Sequence, residues 1–513
     1  MQTDNGLTRS VWMATAETPA GPKLAEDEGT DVCIVGGGIA GLSVAYHLCK
    51  EGKRVVVLDD GPTAGGETAR TTAHLAYYID DGLTEIESLH GEDGLRLAVE
   101  SHSAAIDRIE RIVAEEGIDC DMERLDAYLF VAPDGYGQDF LEKELDAAHR
   151  VGLKDARWVD RAPIADFDTG RCLCFPRHGR FHPLKYLAGL TKAIKANGGK
   201  VYNNTHAKTI AGGTPARVET SAGRAVVAEA VVVATNTPVN DMVAIHTKQA
   251  PYRTYVVGLR VPSGSVTDAL YWDTLDTYHY VRLQQVGRGR GHDLLIVGGE
   301  DHKTGHHNDA DRRWADLEAW ARERFPTAGE VEFRWSGQVM EPVDYVAYIG
   351  RNPLDKDNVF IATGDSGMGM THGTIAGMLL SDMILGRPNE WEKLYSPSRV
   401  TPKSVAKYVQ ENADVAIQYK DWVTPGEVKS VDEIAPDTGA VMRSGLKKLA
   451  VYKDADGAVH TCSATCPHMG CIVMWNGAEQ SWDCPCHGSR FDPYGTVMNG
   501  PAVADLETLK EEE

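Results

Sequence analysis

Short apolar runs, separated by stretches with helical spacing, occur in two parts of the chain, residues 31–58 and residues 230–385. Residues 31–35 and Val55–Leu58 are continuous apolar runs of strand length, typical of strands buried on both faces. Residues 42–50 between them have a helical pattern. Two later runs, residues 230–236 and 358–364, repeat the strand pattern, and an apolar helix is predicted at residues 374–385. The pattern predicts an α/β domain assembled from distant segments of the chain.

The intervening segments have other periodicities. Residues 83–150 are rich in helix formers, and Ile106, Ile109, Ile112 and Val113 recur at helical spacing. Residues 160–185 and 250–345 alternate apolar with polar positions and contain most of the aromatic residues. Alternation of this kind predicts an antiparallel sheet.

A connector and a third region follow. Between residues 403 and 422, apolar residues at Val405, Val409, Ala413 and Ala416 predict an amphipathic helix lying on the preceding domain. From residue 426 the pattern changes to short strands separated by turns. Residues 1–29 are polar and predict an N-terminal arm.

Charge and composition narrow the choice of partners. The 513 residues carry a formal charge of −23, with 42% hydrophobic and 25% charged residues. This balance argues against nucleic acid or an anionic membrane as partner. The chain has neither a signal-peptide pattern at its start nor an apolar run of about 18 residues, which a membrane helix requires. A cytoplasmic location is therefore expected.

A glycine-rich turn follows the first apolar run. Gly36, Gly38 and Gly41, with Ala40 between them, lie between a predicted strand and a predicted helix, and Asp59 ends the second strand. The glycines allow close approach of the backbone to a pyrophosphate, and an acidic residue at the position of Asp59 accepts from ribose hydroxyls. The sequence predicts a dinucleotide site.

Two further segments favour FAD over NAD. Small residues after the second strand would let the chain pass close to an isoalloxazine ring, in the segment that contains Gly65, Gly66, Arg70 and Thr71. A second helix N-terminus, which would face the pyrimidine side of the flavin, follows residues 358–364. Its predicted cofactor-binding residues are Gly364, Gly367, Met368, Gly369, Met370 and Thr371. An NAD(P)H reductase would need a second nucleotide motif, and the glycine-rich residues 287–292 instead predict a hairpin turn.

Near the C-terminus, two short loops each contain a Cys and a His. Cys466 and Cys484 would bind one iron of a [2Fe–2S] centre, and His468 and His487 the other. A structural zinc site is the alternative, but zinc fingers place two Cys and then two His in sequence. The pattern favours a Rieske cluster, a one-electron carrier. In Rieske proteins of the cytochrome bc type, the positions of Cys471 and Cys486 form a disulfide, and the resemblance implies the same here.

Over about residues 10–400, the chain resembles the D-amino-acid oxidase-like superfamily of FAD oxidoreductases, and it is most similar to a bacterial subgroup fused to a C-terminal Rieske domain. The resemblance implies an α/β FAD-binding, Rossmann-like domain of the glutathione-reductase type, with an inserted antiparallel-sheet substrate domain and an all-β Rieske domain. The expected bounds are 1–29 for the arm and 30–400 for the flavoprotein, with FAD-binding segments at about 30–80, 185–245 and 345–400 and substrate segments at about 81–184 and 246–344. The helical connector then spans 401–425 and the Rieske domain 426–513.

The resemblance also implies chemistry. Members of the superfamily oxidise a C–N bond at FAD, and noncovalent FAD is expected here. The candidate catalytic residues are His74, Arg253, Tyr255, Tyr280 and His372, with a hydrogen-bonded structural role as the alternative for His74.

The leading hypothesis is a dehydrogenase of an amine or amino acid that passes electrons through the cluster to a soluble acceptor protein. In a second hypothesis a ferredoxin-like donor reduces the cluster and the flavin acts on the substrate. A third is a redox sensor without turnover. The sequence names neither the substrate, the electron partner nor the oligomeric state.

Overall fold

Two large sheets organise the first 400 residues of the computed structural model, which describes residues 5–240, 245–286 and 291–509. The first sheet has the strand order β16-β17-β10-β1-β2-β7, with a β8–β9 hairpin beside β10. Its strands are β1 (Glu28–Val35), β2 (Val55–Leu58), β7 (Lys200–Tyr202), β8 (Ala207–Ala211), β9 (Ala216–Thr220), β10 (Ala225–Val233), β16 (Tyr348–Arg351) and β17 (Val359–Thr363). The α/β domain predicted from the apolar runs is confirmed.

The centre of this sheet is parallel, as continuous apolar strands require. Val32 to Val35 pair in register with Val55–Leu58 on one side and with residues 230–233 on the other. These strands are buried because helices cover one face and β8, β9 and the chain after β10 cover the other.

The second sheet is largely antiparallel and has the order β15-β11-β14-β13-β12-β4-β6-β3, with β5 beside β6. Its strands are β3 (His74–Leu75), β4 (Glu123–Phe130), β5 (Arg157–Val159), β6 (Cys172–Arg180), β11 (Gln249–Pro262), β12 (Leu270–Asp273), β13 (His279–Gln285), β14 (His292–Lys303) and β15 (Val331–Pro342). Strands β13 and β14 form an antiparallel pair, which agrees with a hairpin at residues 287–292. Residues 287–290 themselves lie outside the described chain.

The described helices are α1 (Val11–Thr15), α2 (Ile39–Lys50), α3 (Leu83–Glu116), α4 (Gln138–Arg150), α5 (Pro183–Ala196), α6 (Ala310–Arg324), α7 (Gly369–Ile384), α8 (Glu392–Tyr395) and α9 (Val405–Gln418). Helices α2 and α7 pack so closely that a Cβ at Gly373 would lie 2.6 Å from Ile39 Cγ2, and a Cβ at Gly377 would lie 2.6 Å from Ser43 Cβ. Within the described ranges, no helix is both long enough and apolar enough to cross a membrane.

The C-terminal region is all-β, as expected. Strands β18 (Thr438–Ser444), β19 (Lys447–Lys453) and β20 (Val459–Ser463) form one sheet, and β21 (Met474–Asn476), β22 (Ser481–Asp483), β23 (Arg490–Phe491) and β24 (Val497–Asn499) form another. The two Cys–His segments are loops, one between β20 and β21 and one between β22 and β23. We call them the first and second cluster loops, residues 464–473 and 484–489.

The connector helix α9 corrects one prediction. The four apolar residues expected to lie on the flavoprotein, Val405, Val409, Ala413 and Ala416, are all exposed. The helix instead docks through charged side chains: Lys407 Nζ lies 2.6 Å from Glu341, and Lys303 Nζ lies 2.7 Å from Glu411. Apolar spacing located the helix correctly but gave the wrong docking face, because long-range ion pairs fix its orientation.

Candidate functional site

A cavity of about 880 Å³ lies between the two large sheets and the starts of α2 and α7. At its floor, the chain turns from β1 into α2 through Gly36, whose φ of +107° and closeness to the carbonyl of Ala234 exclude a side chain. The Asp59 carboxylate accepts a hydrogen bond from the Gly37 amide at 2.5 Å and faces the cavity. We call this space the dinucleotide cavity.

Most of the predicted cofactor-binding residues line this cavity. They are Gly36, Gly38, Ala40, Asp59, Gly66, Arg70, Thr71, Gly364, Gly367, Met368, Gly369 and Met370. The N-termini of α2 and α7 both open onto the same space, so that two positive dipole ends face it. These features suit an anionic dinucleotide.

Four of the predicted residues have other roles. Gly41 lies against the carbonyl of Gly36, where a Cβ would clash, so it serves helix–strand packing. Gly65 packs on Pro62, and the Thr371 hydroxyl bonds to His102 and to the carbonyl of Met368. The Arg70 backbone borders the cavity, but its guanidinium is directed elsewhere, as described below.

One wall of the cavity is acidic and aromatic. Asp80 accepts a hydrogen bond from the Tyr278 hydroxyl, and the Tyr280 hydroxyl bonds to Thr254. Asp301 faces the same space, and its Oδ1 is buried with no hydrogen-bond partner among the described residues. Burial raises the pKa of Asp80 and of Asp301 to about 7.

Three of the five candidate catalytic residues, His74, Tyr280 and His372, line the cavity. The ring of His74 is fully engaged, with Nδ1 bonded to Thr72 and Nε2 to the carbonyl of Val281. Burial lowers its pKa to about 3, so the ring is neutral at physiological pH. His372 Nδ1 donates to the carbonyl of Asp365, and burial lowers the His372 pKa to about 4.

The other two candidate catalytic residues, Arg253 and Tyr255, do not line the cavity. Tyr255 packs in the core between β11 and α6, and its hydroxyl bonds to His302 at 3.0 Å. Arg253 is buried and points at Asp483 of the C-terminal region. The alternation of residues predicts strand β11, but the carboxylate that Arg253 contacts belongs to a domain that is distant in sequence.

The cluster loops bring the four predicted ligands together. Cys466 and Cys484 are buried and adjacent, and the rings of His468 and His487 lie 4.9 Å apart. His487 Nδ1 is buried and makes no hydrogen bond to the described protein, as expected of a nitrogen that is reserved for a metal. Two thiols and two imidazoles at one point fit a [2Fe–2S] cluster with one His pair.

Cys471 and Cys486 form a disulfide that joins the two loops. The sulfurs of Cys471, Cys484 and Cys486 lie within 4.8 Å of one another, which resembles a cysteine metal site. Cys471 and Cys486 are bonded to each other and so have no free thiolate for a metal, and Cys466, Cys484, His468 and His487 remain the predicted cluster ligands.

The C-terminal region docks on the flavoprotein through a buried ion network. Glu479 lies 3.0 Å from Arg70, and Asp483 lies 3.3 Å from Arg253 and 3.1 Å from Arg490. All five side chains are at most 2% exposed. Burial alone would raise the pKa of Glu479, but the three guanidinium charges outweigh it and hold that pKa at about 2. We call these five residues the interdomain ion network.

The network places the cluster loops against the flavoprotein. His246, which is 2% exposed, lies with its ring centroid 5.0 Å from His468 and 6.1 Å from His487. Strand β24 and the following turn, residues 497–500, together with Ala502, line the dinucleotide cavity. The cavity is therefore built by both domains.

Several of these residues have no sequence signal. Asp80, Asp301 and His246 lie outside any motif, and the C-terminal strand β24 carries no nucleotide-binding pattern. Only tertiary packing brings them to the site.

Comparison with protein families agrees with this geometry. Residues 31–383 match the family DAO, described as FAD dependent oxidoreductase, and residues 422–510 match the Rieske [2Fe-2S] domain. DAO-family proteins bind FAD, and Rieske domains bind a [2Fe–2S] cluster.

Individual relatives share one or both parts. The chain is 31% identical over 507 residues to the Rieske 2Fe-2S iron-sulfur protein YhfW of Bacillus subtilis, covering 98% of this chain and 97% of that protein. It is 29% identical to the gamma-glutamylputrescine oxidoreductase of Escherichia coli, covering 74% of this chain and 89% of that protein. Glycine oxidase from Geobacillus kaustophilus has a similar fold, with a TM-score of 0.61 at 19% identity over 73% of this chain and 99% of that structure.

Proposed function

This chain belongs to the DAO family of FAD-dependent oxidoreductases and carries a Rieske domain, and on that premise we propose that it dehydrogenates a cationic amine and delivers the electrons through the cluster to an external acceptor protein. Bound FAD would take two electrons from the substrate, and the cluster would carry them one at a time. The amine carbon and nitrogen together lose two electrons and two protons and become an imine, which water hydrolyses.

The observation that carries this proposal is the shared wall. Residues 497–500 of the Rieske domain line the same cavity as the glycine turn at Gly36 and Gly38. His246 packs against both cluster histidines from the flavoprotein side. The interdomain ion network is buried and holds the two domains together. Electron transfer between the FAD site and the cluster site would therefore need no movement of one domain against the other.

The acidic wall supports an amine over an amino acid. Asp80 and Asp301 face the cavity, and carboxylates attract an ammonium group. Two described Arg and Lys residues line the cavity: Arg70 is bonded to Glu479, and Lys143 is exposed. Neither offers the buried, unengaged cation that would pair with a substrate carboxylate.

The pKa of Asp301 predicts a pH profile. Because burial raises this pKa to about 7, the carboxyl group is neutral below that pH and anionic above it. We expect kcat/KM for a cationic amine to rise as the pH increases through about 7, since kcat/KM reports ionisations of the free enzyme. Asp301→Asn should lower kcat/KM about 10-fold at pH 8, which corresponds to the loss of one charged hydrogen bond of about 1.5 kcal/mol. The increase of kcat/KM with pH should also be smaller in this variant.

Asp293→Asn is the control, because Asp293 lies on the same strand β14 but does not line the cavity. A pH profile of kcat/KM that is identical in the Asp301→Asn variant and in the parent protein would show that Asp301 does not bind the substrate.

Anaerobic mixing with amines and amino acids tests the function directly. Flavin absorbance should fall with an amine, and the EPR signal of the reduced cluster should follow. If the flavin is reduced while the cluster stays oxidised, the relay is wrong. If a reduced ferredoxin reduces the cluster and no amine reduces the flavin, electrons flow in the opposite direction.

A further inference from the structure

One side chain connects the dinucleotide cavity to the second cluster loop. Gln338, on strand β15, is 2% exposed and lines the cavity. Its Nε2 donates a hydrogen bond of 3.0 Å to the carbonyl of Gly488. Gly488 follows directly after His487, one of the four cluster ligands.

The Gln338 amide is held in one orientation. Its Oε1 accepts a hydrogen bond from the Thr304 hydroxyl at 3.2 Å, and its backbone amide donates to Glu67 Oε2 at 2.7 Å. A hydroxyl donor on one side and a carbonyl acceptor on the other fix which end of the side chain is the NH₂ group. The donor therefore faces the Rieske domain.

Packing around this bond is tight. Gly488 has a φ of +79°, and a Cβ there would lie 2.7 Å from Pro251 Cβ and 2.9 Å from Gln338 Nε2. A methyl group does not fit between loop and sheet, so the second cluster loop and the cavity wall are in direct contact. Gly305 makes a similar approach, since its Cβ would lie 3.0 Å from Pro485.

Resting on the proposed function, we propose that Gln338 is a positioning residue for electron transfer: it fixes the loop that carries His487 to the wall of the dinucleotide cavity through a single hydrogen bond. With both cofactors bound, electrons from reduced FAD would pass one at a time to the oxidised cluster across this contact, so the flavin would be oxidised as the cluster is reduced. Gln338 neither gains nor loses a proton, and no covalent bond forms or breaks. Residues that orient metal ligands in this way typically contribute about 10- to 100-fold to activity.

Gln338→Met tests the proposal, because it keeps the length of the side chain and removes both the donor and the acceptor. In the full chain loaded with both cofactors, rapid anaerobic mixing with an amine measures reduction of the flavin and reduction of the cluster separately, and the readout is the rate of cluster reduction relative to the rate of flavin reduction. Reduction of the cluster should be about 10- to 100-fold slower. Gln338→Glu should slow it as well, because a carboxylate would face the carbonyl oxygen of Gly488.

Thr304→Val is the matched control. It removes the hydroxyl bonded to Gln338 Oε1 but leaves the bond from Gln338 to Gly488 in place. Cluster reduction should therefore stay within about threefold of the parent rate, a much smaller loss than the one expected for Gln338→Met. Dithionite-reduced samples of each variant should give the parent EPR spectrum, which shows that the cluster is intact.

Cluster reduction at the parent rate in both Gln338 variants, with an intact cluster, would overturn the proposal. If Gln338→Met does not fold, the Gln338→Glu variant decides. If no amine reduces the parent flavin, the proposed function fails by itself. Photochemical reduction of the flavin then supplies the electrons, and the same comparison of rates still tests Gln338.

Discussion

Replacing Glu479 with Gln is expected to detach the Rieske domain from the flavoprotein at a cost of about 3–5 kcal/mol, the usual loss when one partner of a buried ion pair is removed. Glu479 bonds to Arg70 and accepts hydrogen bonds from Thr8 and Ser336, with no exposure to solvent. The amide keeps the shape of the side chain but removes its charge. Arg70 would then be buried without a counter-ion.

The interdomain ion network should also determine how docking of the Rieske domain responds to a fall in pH. The pKa values of Glu479 and Asp483 are both held at about 2, below their ordinary values near 4. A carboxylate whose pKa is depressed on folding contributes stability above its unfolded pKa and loses it as the pH falls toward the folded pKa. Docking should therefore be constant from pH 5 to pH 8 and weaken between about pH 4 and pH 2.

Two measurements on the protein loaded with both cofactors test the effect of Glu479→Gln on docking. They are limited proteolysis after residue 418, where the connector helix α9 ends, and thermal unfolding. Asp31→Asn serves as the control, because Asp31 pairs with Arg54 at the surface and such pairs contribute about 0–1 kcal/mol. A Glu479→Gln protein as resistant to protease and heat as the Asp31→Asn protein would show that the network does not hold the domains together.

Cys484→Ser is expected to abolish electron delivery to an external acceptor while leaving reduction of the flavin by substrate in place. Cys484 is 1% exposed and lies beside Cys466, and a Rieske iron requires both thiolates. Without the cluster, the two electrons have no one-electron route out of the protein. Acceptor reduction should fall to background, and the EPR signal and the iron content should be lost.

Cys462→Ser is the matched control. Cys462 is a buried thiol of the same domain, 4% exposed, and it bonds to the carbonyl of Tyr494 instead of facing the cluster loops. It should retain iron and acceptor reduction. Acceptor reduction that persists in Cys484→Ser protein without iron would mean that the flavin reacts with the acceptor directly.

Local motifs explain what could be predicted from the sequence. The glycine turn at Gly36 and Gly38, followed by Asp59, depends on the covalent neighbourhood of one strand, one helix and the next strand. The Cys–His loops are equally local. In both cases the chemistry is encoded within about 25 residues, so periodicity and spacing suffice to find it.

The remaining features depend on contacts between distant segments. Arg253 and Asp483 are 230 residues apart, and nothing near Arg253 indicates a carboxylate from another domain. The apolar residues of α9 predicted the wrong docking face for the same reason, because Lys303 and Glu341 attract the charged face. Asp301 occupies an ordinary strand position, and only the fold turns it toward the cavity.

The contribution of β24 to the cavity wall links insertion of the flavin to docking of the Rieske domain. Residues 497–500 come from the Rieske domain, far in sequence from the glycine turn at Gly36, and they form part of the wall of a space that a dinucleotide must enter. We therefore expect the flavin to enter most readily before the Rieske domain docks on the flavoprotein. Cells starved of riboflavin should accumulate a protease-sensitive form of the protein, in which the iron centre is assembled but the Rieske domain is not yet docked.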